Sequence, residues 1–369
     1  MPLSRTGATS SQANVGIVCQ ALQNSGGFER YVRDLIGALH RRAITPRVYA
    51  RRIDATLPEA RLVEPAVLGV RWLPGKLRDA GFALLLQRRL SANRPRLLLT
   101  CNRGGAADIA ICGGTHPGFL ARIGRRPRFS DRIQIALEQR TYERAKRVVA
   151  HSALMAEELR RHYALADGKV VVLPPPADTR RFSPVDDARR AALRAALGLP
   201  TDRLVFVFSS TSHERKGYAL LRDFFASTEL PVCLLVVGRP VEAVDERIRY
   251  AGYRDDIENV FRAADYTVIA SQYEPFGLVG VESVLCGTPL VSAANVGCLD
   301  VIDPTARIAF TRDTPGSLAD AIGEAVRRAA AGEDARLRTP REALRYDPDV
   351  DRHVEALLAL GATFGHAVR

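Results

Sequence analysis

Residues 273–293 read YEPFGLVGVESVLCGTPLVSA, and this stretch says most about the fold. A short apolar run typical of a buried strand precedes it at residues 266–270, and a second such run lies at residues 289–292. Between the two runs a proline and a glycine favour a loop, and residues 279–286 are predicted to form a helix. The order strand, loop, helix, strand predicts parallel strands joined by a helix that covers one face of the sheet.

The same alternation extends along the rest of the chain. In the first half, strands are predicted at residues 14–22, 47–50, 97–101, 108–112, 147–151 and 169–173, with helices at 28–42, 130–147 and 153–163. In the second half, further strands are predicted at 204–209 and 232–237, with a helix at 217–225. Three consecutive prolines at 174–176 can continue neither a helix nor a strand, so an extended hinge is expected there. The predicted fold class is α/β, with two doubly wound, Rossmann-like domains whose parallel sheets face a central cleft.

These breaks predict four regions. They are a disordered tail at residues 1–13, domains at 14–174 and 175–345, and a helical segment at 346–369 that is expected to pack back on the N-terminal domain. The helical segment contains DPDVD, whose aspartates resemble a D-x-D metal motif. Because the helix dipole favours acidic residues in the first turn, capping is the preferred interpretation.

The composition is that of a globular protein. With 369 residues, of which 47% are hydrophobic, the chain can build a core in each of two domains. No run reaches the roughly 18 apolar residues of a membrane-spanning helix, and the N terminus lacks the pattern of a secretory signal. None of the six cysteines forms a C-x-x-C pair, so buried, reduced thiols in a cytoplasmic protein are expected, without a metal site.

The net charge of +12 is unevenly distributed along the chain. Residues 1–180 contain 30 Lys and Arg against 14 Asp and Glu, which gives +16, whereas the remainder contains 23 against 27, which gives −4. A basic half predicts an anionic partner, and an arginine-rich surface without such a role is the alternative. Residues 76–90, with an apolar centre and basic ends, and the basic residues 122–128 predict peripheral attachment to an anionic membrane, unless residues 82–86 belong to the core.

Two carboxylates in the opening stretch, Glu274 and Glu282, are eight residues apart. Glu274 is predicted to lie in the loop above the helix N terminus, and Glu282 about a turn or more inside the helix, pointing into the cleft. Free amides at a helix N terminus bind anions, and Gly277 allows a ligand to approach the backbone. The pattern predicts a diphosphate at the helix N terminus with one acid for each of two sugars.

A second loop, SSTSHERKG at residues 209–217, follows a predicted strand. It therefore lies at the carboxyl end of a sheet, where open α/β sheets bind ligands. Its two adjacent cations, Arg215 and Lys216, can neutralise phosphates and a departing diphosphate. Adjacent surface cations without a ligand are the alternative.

Two further candidates lie in the first half. Gly26 and Gly27 follow the first strand without forming G-x-G-x-x-G, so a dehydrogenase is not indicated, and a plain tight turn is the alternative. His116, in CGGTHPGF at residues 112–119, lies in a predicted loop just after a strand. That position favours a functional histidine over a structural one.

With these motifs in order over residues 14–345, the sequence resembles the retaining glycosyltransferases of family four, which have the GT-B fold. The E-x7-E spacing and the Arg-Lys-Gly loop carry most of the resemblance. Within the family, the segments SGGFERYVRDL, ALEQRTYERAKRVVAHS and VVVLPPPADTRRFSP are most similar to enzymes that add glucose or a related hexose to the lipopolysaccharide inner core. Many members carry Gly-Gly-x-x-Glu after the last strand, where this chain has Gly297-Cys298-Leu299-Asp300, so that contact is in doubt.

The resemblance implies an N-terminal acceptor-binding domain and a C-terminal domain that binds a nucleotide-diphosphate sugar, with UDP-sugar favoured. The implied catalytic residues are His116, Arg215, Lys216 and Glu274. The implied donor-binding residues are Gly26, Gly27, Ser210, Arg215, Lys216, Glu274, Pro275, Phe276, Gly277, Leu278, Val279 and Glu282. Glu274 is expected to contact the hydroxyls of the donor sugar and Glu282 the ribose.

Retaining members are thought to react by front-face attack with the leaving phosphate as base, so neither a metal nor another cofactor is expected. The implied acceptor is the lipopolysaccharide core or another phosphorylated glycolipid, met at the inner face of the cell membrane. No nucleic acid is expected as a partner.

Three other functions use part of this pattern. A glycoside hydrolase also uses two carboxylates but has no need of the adjacent cations or of the helix N terminus. A nucleotide-sugar epimerase can share the two-domain architecture and would turn over its donor without an acceptor. A basic protein that binds nucleic acid or membranes fits the charge, although the arginines have few aromatic neighbours.

Overall fold

The computed structural model describes residues 14–24, 26–103, 105–241 and 245–365. The tail expected at residues 1–13 lies outside them. Among the described residues the chain forms two large parallel sheets, one in each half, with helices on both faces. The predicted α/β class with two Rossmann-like, doubly wound halves is confirmed.

The N-terminal half is built on a seven-stranded sheet in the order β5-β3-β1-β6-β7-β8-β9, in which every pair is parallel, and β2 pairs only with β4. Its elements are β1 (Val15–Val18), β2 (Ala21–Leu22), α1 (Gly27–Arg41), β3 (Arg47–Ala50), β4 (Arg52–Ile53), β5 (Glu64–Val67), α2 (Arg78–Ala92), β6 (Leu97–Thr100), β7 (Ile109–Cys112), α3 (His116–Arg122), α4 (Phe129–Arg144), β8 (Arg147–Ala150), α5 (Ala153–Tyr163) and β9 (Val170–Val172).

The C-terminal half is built on a six-stranded parallel sheet in the order β12-β11-β10-β13-β14-β15. Its elements are α6 (Asp187–Ala196), β10 (Leu204–Ser210), α7 (His213–Lys216), α8 (Tyr218–Ser227), β11 (Val232–Gly238), β12 (Ile248–Tyr250), α9 (Ile257–Ala263), β13 (Tyr266–Ile269), α10 (Leu278–Leu285), β14 (Leu290–Ala293), β15 (Arg307–Phe310) and α11 (Ser317–Ala330). The last helix of the chain is α12 (Val350–Ala362).

The central strands are uniformly apolar because both faces of each sheet are covered. All four residues of β1, β6, β7 and β14 are buried. In each sheet the strand order reverses beside one central strand, between β1 and β6 in the first and between β10 and β13 in the second. Such switch points leave a crevice at the carboxyl ends of the strands. The fold therefore offers a binding crevice in each half.

The hinge and the C-terminal segment run side by side. The hinge follows β9, and Ala177 donates its backbone N–H to the carbonyl of Pro348 at 2.9 Å, while the Tyr346 hydroxyl donates to the carbonyl of Pro175 at 3.0 Å. The chain thus crosses between the halves a second time before α12, which packs against α1 of the first half.

An aspartate begins α12 as a cap. The side chain of Asp349 accepts hydrogen bonds from the backbone of Asp351 at 2.8 Å and of Arg352 at 3.2 Å. This use of the acidic run is the capping that the sequence favoured over a metal motif.

The stretch considered for membrane contact contributes to the core. Phe82 and Leu86 of α2 are 1% and 0% exposed and belong to a cluster with Val18 and Tyr49. Leu84, on the other face of the helix, is 52% exposed. The alternative that residues 82–86 belong to the core therefore holds in part, because the helix turns Phe82 and Leu86 inward and leaves Leu84 at the surface. No helix in the described part of the chain is long and apolar enough to cross a membrane.

The segment around His116 is helical where a loop was predicted. Thr115 caps α3 by accepting the backbone N–H of Gly118 at 3.1 Å, and Pro117 occupies the first turn. A proline is tolerated there because the first N–H groups of a helix have no partner within it. The glycines of CGGTHPGF suggested a loop, whereas its threonine and proline mark the N terminus of a helix.

Candidate functional site

A cavity of about 640 Å³ lies between the two halves at the carboxyl ends of their strands. We define its N-terminal wall as the polar side chains Gln20, Glu29, Asn102, Arg103, His116, Gln134 and Glu138. Its C-terminal wall consists of Arg215, Tyr273, Glu274 and Pro275. Two of the predicted loops, 112–119 and 209–217, thus meet the opening stretch at one cavity. A cavity of this volume is suited to a small-molecule ligand.

The loop that carries Glu274 depends on a glycine. Gly277 has φ +87°, and a Cβ there would approach Cγ1 of Val296 to 2.9 Å and Cγ of Glu274 to 3.0 Å. The loop is also held from behind, since Gly297 donates its N–H to the carbonyl of Glu274 at 3.1 Å. Gly277 therefore serves the shape of the loop itself, beyond the close approach of a ligand that the sequence suggested.

The N terminus of α10 has free amides. Gly277 is the N-cap, and no side chain of the described residues caps the helix. Phe276 is 6% exposed and packs into the core of the C-terminal half. Gly277 and Val279 line a small pocket with Lys216 and Glu274, and Glu274 also lines the cavity. Uncapped N–H groups and the positive end of the helix dipole together attract an anion.

The predicted cations lie beside this helix start and differ from each other. The Lys216 ammonium forms an ion pair with Oε2 of Glu274, which also accepts a hydrogen bond from Ser271 Oγ at 3.1 Å. Arg215 lines the cavity, and its guanidinium makes no hydrogen bond or ion pair with any described residue. One of the two cations is therefore uncompensated.

Glu282 points toward the other half of the molecule. It is 4% exposed, and its Oε1 accepts a hydrogen bond from Nη1 of Arg30 on α1 at 2.6 Å. Burial raises the pKa of Glu282, and the charge of Arg30 opposes that rise. Its second oxygen, Oε2, has no hydrogen-bond partner among the described residues. The predicted ribose contact is thus already half engaged by an arginine that the sequence analysis did not single out.

Arg30 has a defined setting of its own. Its guanidinium lies over the ring of Phe182 at 5.3 Å and 3.9 Å from Asp34. Burial raises the pKa of Asp34 to about 6, against the opposing charge of Arg30. Arg30 belongs to the quoted segment SGGFERYVRDL, so it was visible in the sequence, but nothing local indicated a partner 252 positions away.

Gly26 and Gly27 begin α1, as its N-cap and first residue. Both are exposed, and a Cβ at Gly27 would meet nothing within 4 Å. Packing therefore does not require these glycines, and they leave open space next to Phe28 and Glu29, which line the cavity.

His116 is held by an acid on the next helix. Its Nε2 lies 2.8 Å from Oδ1 of Asp131, which also pairs with Arg125. Hydrogen bonds from His116 first, and then from the backbone of Arg128, hold the pKa of Asp131 far below its usual range. Because an ionised carboxylate only accepts, Nε2 carries the proton and Nδ1 is the remaining acceptor of the neutral ring.

Tyr273 joins the two halves beside the cavity. Its hydroxyl accepts the backbone N–H of Thr115 at 3.2 Å and donates to Oε2 of Glu158 at 2.7 Å. Burial, followed by the charge of Glu158, raises the pKa of Tyr273. No role for Tyr273 was predicted from the sequence, and its position just before Glu274 is the one local signal for it.

Other contacts fix the closure of the cleft. Ser152 donates to the carbonyl of Pro275 at 2.7 Å, and Arg122 donates to the carbonyl of Gln272 at 2.7 Å. Asp300 accepts the N–H of Ala153 at 3.2 Å, at the start of α5. The residue at the position of the family glutamate thus contacts the other half of the protein.

Ser210 lies apart from the other candidates. Its hydroxyl is 3.0 Å from Nδ1 of His213, and its carbonyl accepts the N–H of Arg239 at 2.8 Å. It is 2% exposed and is not among the residues that line the cavity. Of the other candidates in the C-terminal half, Arg215, Glu274 and Pro275 line the cavity. Lys216, Gly277 and Val279 line a small pocket that also includes Glu274, and Glu282 lies at Arg30.

Comparison with known proteins adds independent findings. Residues 25–181 match the family described as Glycosyltransferase Family 4, and residues 202–328 match Glycosyl transferases group 1. A probable transglycosylase of Burkholderia thailandensis is 50% identical over 351 residues, covering 94% of this chain and 96% of that protein. A D-inositol 3-phosphate glycosyltransferase of Saccharomonospora viridis is 32% identical over 401 residues, covering 92% of each chain.

Two solved structures show the same architecture. WaaG, described as a glycosyltransferase involved in lipopolysaccharide biosynthesis, superposes with a TM-score of 0.76 at 18% identity over 93% of this chain and 98% of its own. HepE from Anabaena, in complex with UDP and glucose, superposes with a TM-score of 0.71 at 18% identity over 95% of this chain and 99% of its own. At these identities the likeness concerns the fold.

Proposed function

This chain belongs to glycosyltransferase family four with the GT-B fold, and we propose that it transfers a hexose from a nucleotide-diphosphate sugar to a hydroxyl of a lipopolysaccharide core or similar glycolipid. The observation that carries the proposal is that Glu274 joins two features: it lines the cavity with Arg215, which has no partner among the described residues, and it lines a small pocket with Lys216 at the uncapped N terminus of α10. An uncompensated cation beside free amides is a site for a diphosphate. The N-terminal domain would bind the acceptor and the C-terminal domain the donor.

Each residue has a role in this proposal. The diphosphate lies on the amides of Leu278 and Val279 and on Arg215, while Lys216 moves between Glu274 and the phosphate. Glu274 then accepts hydrogen bonds from hydroxyls of the donor sugar, and the free Oε2 of Glu282 accepts a hydrogen bond from a ribose hydroxyl. The two acids bind sugars and do not exchange protons with them.

The proposed chemistry retains the anomeric configuration. The bond from the anomeric carbon to the diphosphate oxygen breaks while the acceptor oxygen forms its bond on the same face. The acceptor proton passes to the leaving phosphate oxygen, and the charge that develops there is stabilised by Arg215, Lys216 and the helix N terminus. This chemistry uses no covalent nucleophile and no metal. Nδ1 of His116 is available to a sugar hydroxyl at the same cavity.

UDP-sugar is the favoured donor. The Anabaena protein of the same fold is described in complex with UDP and glucose and also with UDP-glucose. The lipopolysaccharide acceptor is supported by the description of WaaG and by the segments that resemble core hexosyltransferases. Both assignments stay proposals for this chain.

The proposed place of action is the cytoplasmic face of an anionic membrane. Trp72, Leu77 and Leu84 are 76%, 50% and 52% exposed near α2, and Arg71 and Arg78 are also exposed there. Exposed aromatic and aliphatic side chains among arginines suit a lipid headgroup region. In flotation with vesicles of anionic and of neutral lipid, we expect binding to the anionic vesicles alone. Absence of binding at low salt would exclude this attachment.

A thermal-shift screen tests the donor site. UDP-, GDP- and ADP-sugars are added to the intact protein and to Arg215→Ala, with Arg222→Ala, an exposed arginine on α8, as the matched control. We expect UDP-sugar to raise Tm in the intact protein and the control but much less in Arg215→Ala. If no nucleotide sugar shifts Tm, the donor site is wrongly assigned.

The remaining alternatives differ in products. Release of UDP that depends on an added glycan, with a product of retained anomeric configuration by NMR, supports the proposal. Turnover of the nucleotide sugar to another nucleotide sugar without an acceptor identifies an epimerase. Transfer from a glycan donor without nucleotide would instead match the name of the Burkholderia relative.

A further inference from the structure

A continuous chain of hydrogen bonds runs along the N-terminal wall, and neither the motifs nor the proposed donor site uses it. Asp79 pairs with Arg51 and accepts from Nε2 of Gln20 at 3.2 Å. The same Nε2 donates to Oδ1 of Asn102 at 2.5 Å, and that oxygen also accepts the backbone N–H of Arg103 at 2.7 Å. The wall is thus built before any ligand arrives.

Arg103 continues the chain to α4. Its Nε donates to Oε1 of Glu138 at 2.6 Å, and its Nη1 donates to Oε1 of Gln134 at 2.8 Å. Glu138, whose side chain is 2% exposed, also accepts the backbone N–H of His116 at 2.9 Å and the hydroxyl of Tyr163. Arg103 is therefore the organising residue of the wall.

These bonds decide how three side-chain amides face the cavity. Both Asn102 and Gln134 present their oxygen to a group of Arg103 that can only donate, so each amide is fixed with its NH₂ group elsewhere. Nδ2 of Asn102 is buried and has no hydrogen-bond partner among the described residues. A buried donor without a partner is costly, so an acceptor atom of a ligand is its natural complement.

The third amide has the opposite polarity. Gln20 uses its Nε2 within the chain, and its Oε1 makes no hydrogen bond to the described residues. The wall thus holds two amide donors and one amide acceptor that no described residue uses. Hydroxyl groups of a sugar ring, each a donor and an acceptor, match such a set.

The charge of the wall does not suit an anion. Its one cation, Arg103, is paired with Glu138, and Glu29 adds a carboxylate with no ion-pair partner among the described residues. One arginine against two glutamates leaves a net charge of −1 on these three residues. A phosphate bound at this wall would lose its hydration without forming an ion pair with an unpaired cation of the wall.

We propose that Gln20, Asn102 and Gln134 form an acceptor subsite for an uncharged, polyhydroxylated ring, and that any phosphate of the acceptor stays outside the cavity. The inference rests on the proposed transfer reaction, because it places the acceptor opposite the donor diphosphate. Arg103, Glu138 and Asp79 are positioning residues, since they act through the amides.

Saturation-transfer NMR of the full chain with UDP bound tests the subsite. The probes are the methyl glycosides of glucose, galactose and mannose, each paired with its 6-phosphate. We expect saturation of the neutral rings and little or none of the phosphorylated ones. The signal should fall about tenfold in Gln134→Leu and in Asn102→Ala, since each loses a hydrogen bond to the ring and a tenfold loss corresponds to about 1.4 kcal/mol.

Gln139→Leu is the matched control, because Gln139 lies on the same helix and is exposed to solvent. Unchanged signals in the control support the subsite. The two variants remove amides from different elements, so both must lose the signal while keeping the saturation of UDP, which reports an intact fold.

Each other result overturns the inference. Stronger saturation of the 6-phosphates would mean that the wall binds anions. Unchanged neutral signals in both variants would mean that the amides do not hold the ring. If UDP is saturated and no sugar is, the cavity holds no polyol but the donor site stands. If UDP itself is not saturated, the proposed function fails first.

Discussion

The two walls of the cleft treat positive charge in different ways. On the C-terminal wall, Arg215 has no hydrogen-bond or ion-pair partner among the described residues, and Lys216 behind it shares Glu274 with Ser271. On the N-terminal wall, Arg103 is bound to Glu138, which is almost fully buried. An uncompensated cation beside a helix N terminus attracts an anion, whereas a paired cation orients its neighbours. The difference supports the proposal of a charged ligand on one wall and a neutral one on the other.

The largest expected effect comes from removing the acid of the N-terminal wall. Glu138→Ala leaves Arg103, Tyr163 and the backbone of His116 without their acceptor. We expect the free energy of unfolding to fall by about 3 kcal/mol, the lower part of the range for a broken buried pair, because Arg103 can regain some water. Urea unfolding followed by circular dichroism measures it.

A second variant controls for the loss of any glutamate from this helix. Glu143→Ala removes an exposed glutamate from the same helix and should change the free energy of unfolding by less than about 0.5 kcal/mol. If Glu138→Ala is as stable as this control, Arg103 is not held as described, and the contrast between the walls is lost.

The next effect concerns the unpaired cation. Arg215→Ala is expected to lower kcat about 100-fold, since one charge that stabilises the departing diphosphate is worth about 2.7 kcal/mol or more. Steady-state release of UDP with saturating acceptor measures it. Arg215→Lys should recover part of the rate, because charge without the planar fork remains. Equal rates for the intact protein and Arg215→Ala would place the diphosphate elsewhere.

Acid tests the burial of a histidine where α12 packs against the N-terminal half. His353 of α12 lies 2.8 Å from the Tyr31 hydroxyl, and burial lowers the pKa of His353 from 6.5 to about 4. Between those values the unfolded chain binds more protons than the folded one, so stability is full above pH 6.5 and is lost as the pH falls toward 4. Each such histidine contributes a slope of up to about 1.4 kcal/mol per pH unit.

Two variants test whether His353 causes this dependence of the free energy of unfolding on pH. We expect His353→Gln to lose stability less steeply than the intact protein between pH 6.5 and pH 4, measured by urea unfolding at several pH values. His162→Gln, which changes an exposed histidine on α5, should leave the slope as it is. Identical slopes for all three proteins would show that His353 is not neutral and buried behind the N-terminal half.

The smallest expected effect tests the bond that spans the cleft. Arg30→Met removes the hydrogen bond to Oε1 of Glu282 and should weaken UDP binding about fivefold, because the carboxylate loses its orientation. Isothermal titration gives Kd. The control is Arg33→Met, one turn further along α1, which breaks an ion pair with Glu59 and leaves Glu282 untouched. Tighter binding in Arg30→Met would mean that Arg30 competes with the ribose.

Much of the fold could be read from local pattern. The predicted strand 47–50 and helix 153–163 have the observed bounds, and most other predicted elements differ by one to three residues at an end. Periodicity and turn residues report the immediate neighbourhood of the chain, so they locate buried strands and helix starts well. The same reasoning missed α3, since the glycines around His116 resembled a loop, and it left the burial of Phe82 open.

The sequence by itself therefore determined the class of fold, its two halves and the loops that we propose hold a phosphate, because each depends on residues next to one another. Only the tertiary structure decided the partners of those residues. Arg30 meets Glu282 across 252 positions, Tyr273 meets Thr115 across 158, and Arg103 organises amides from β6, α4 and the end of β1. Which side chains meet is set by the packing of two sheets and a returning helix, and no local pattern records that packing.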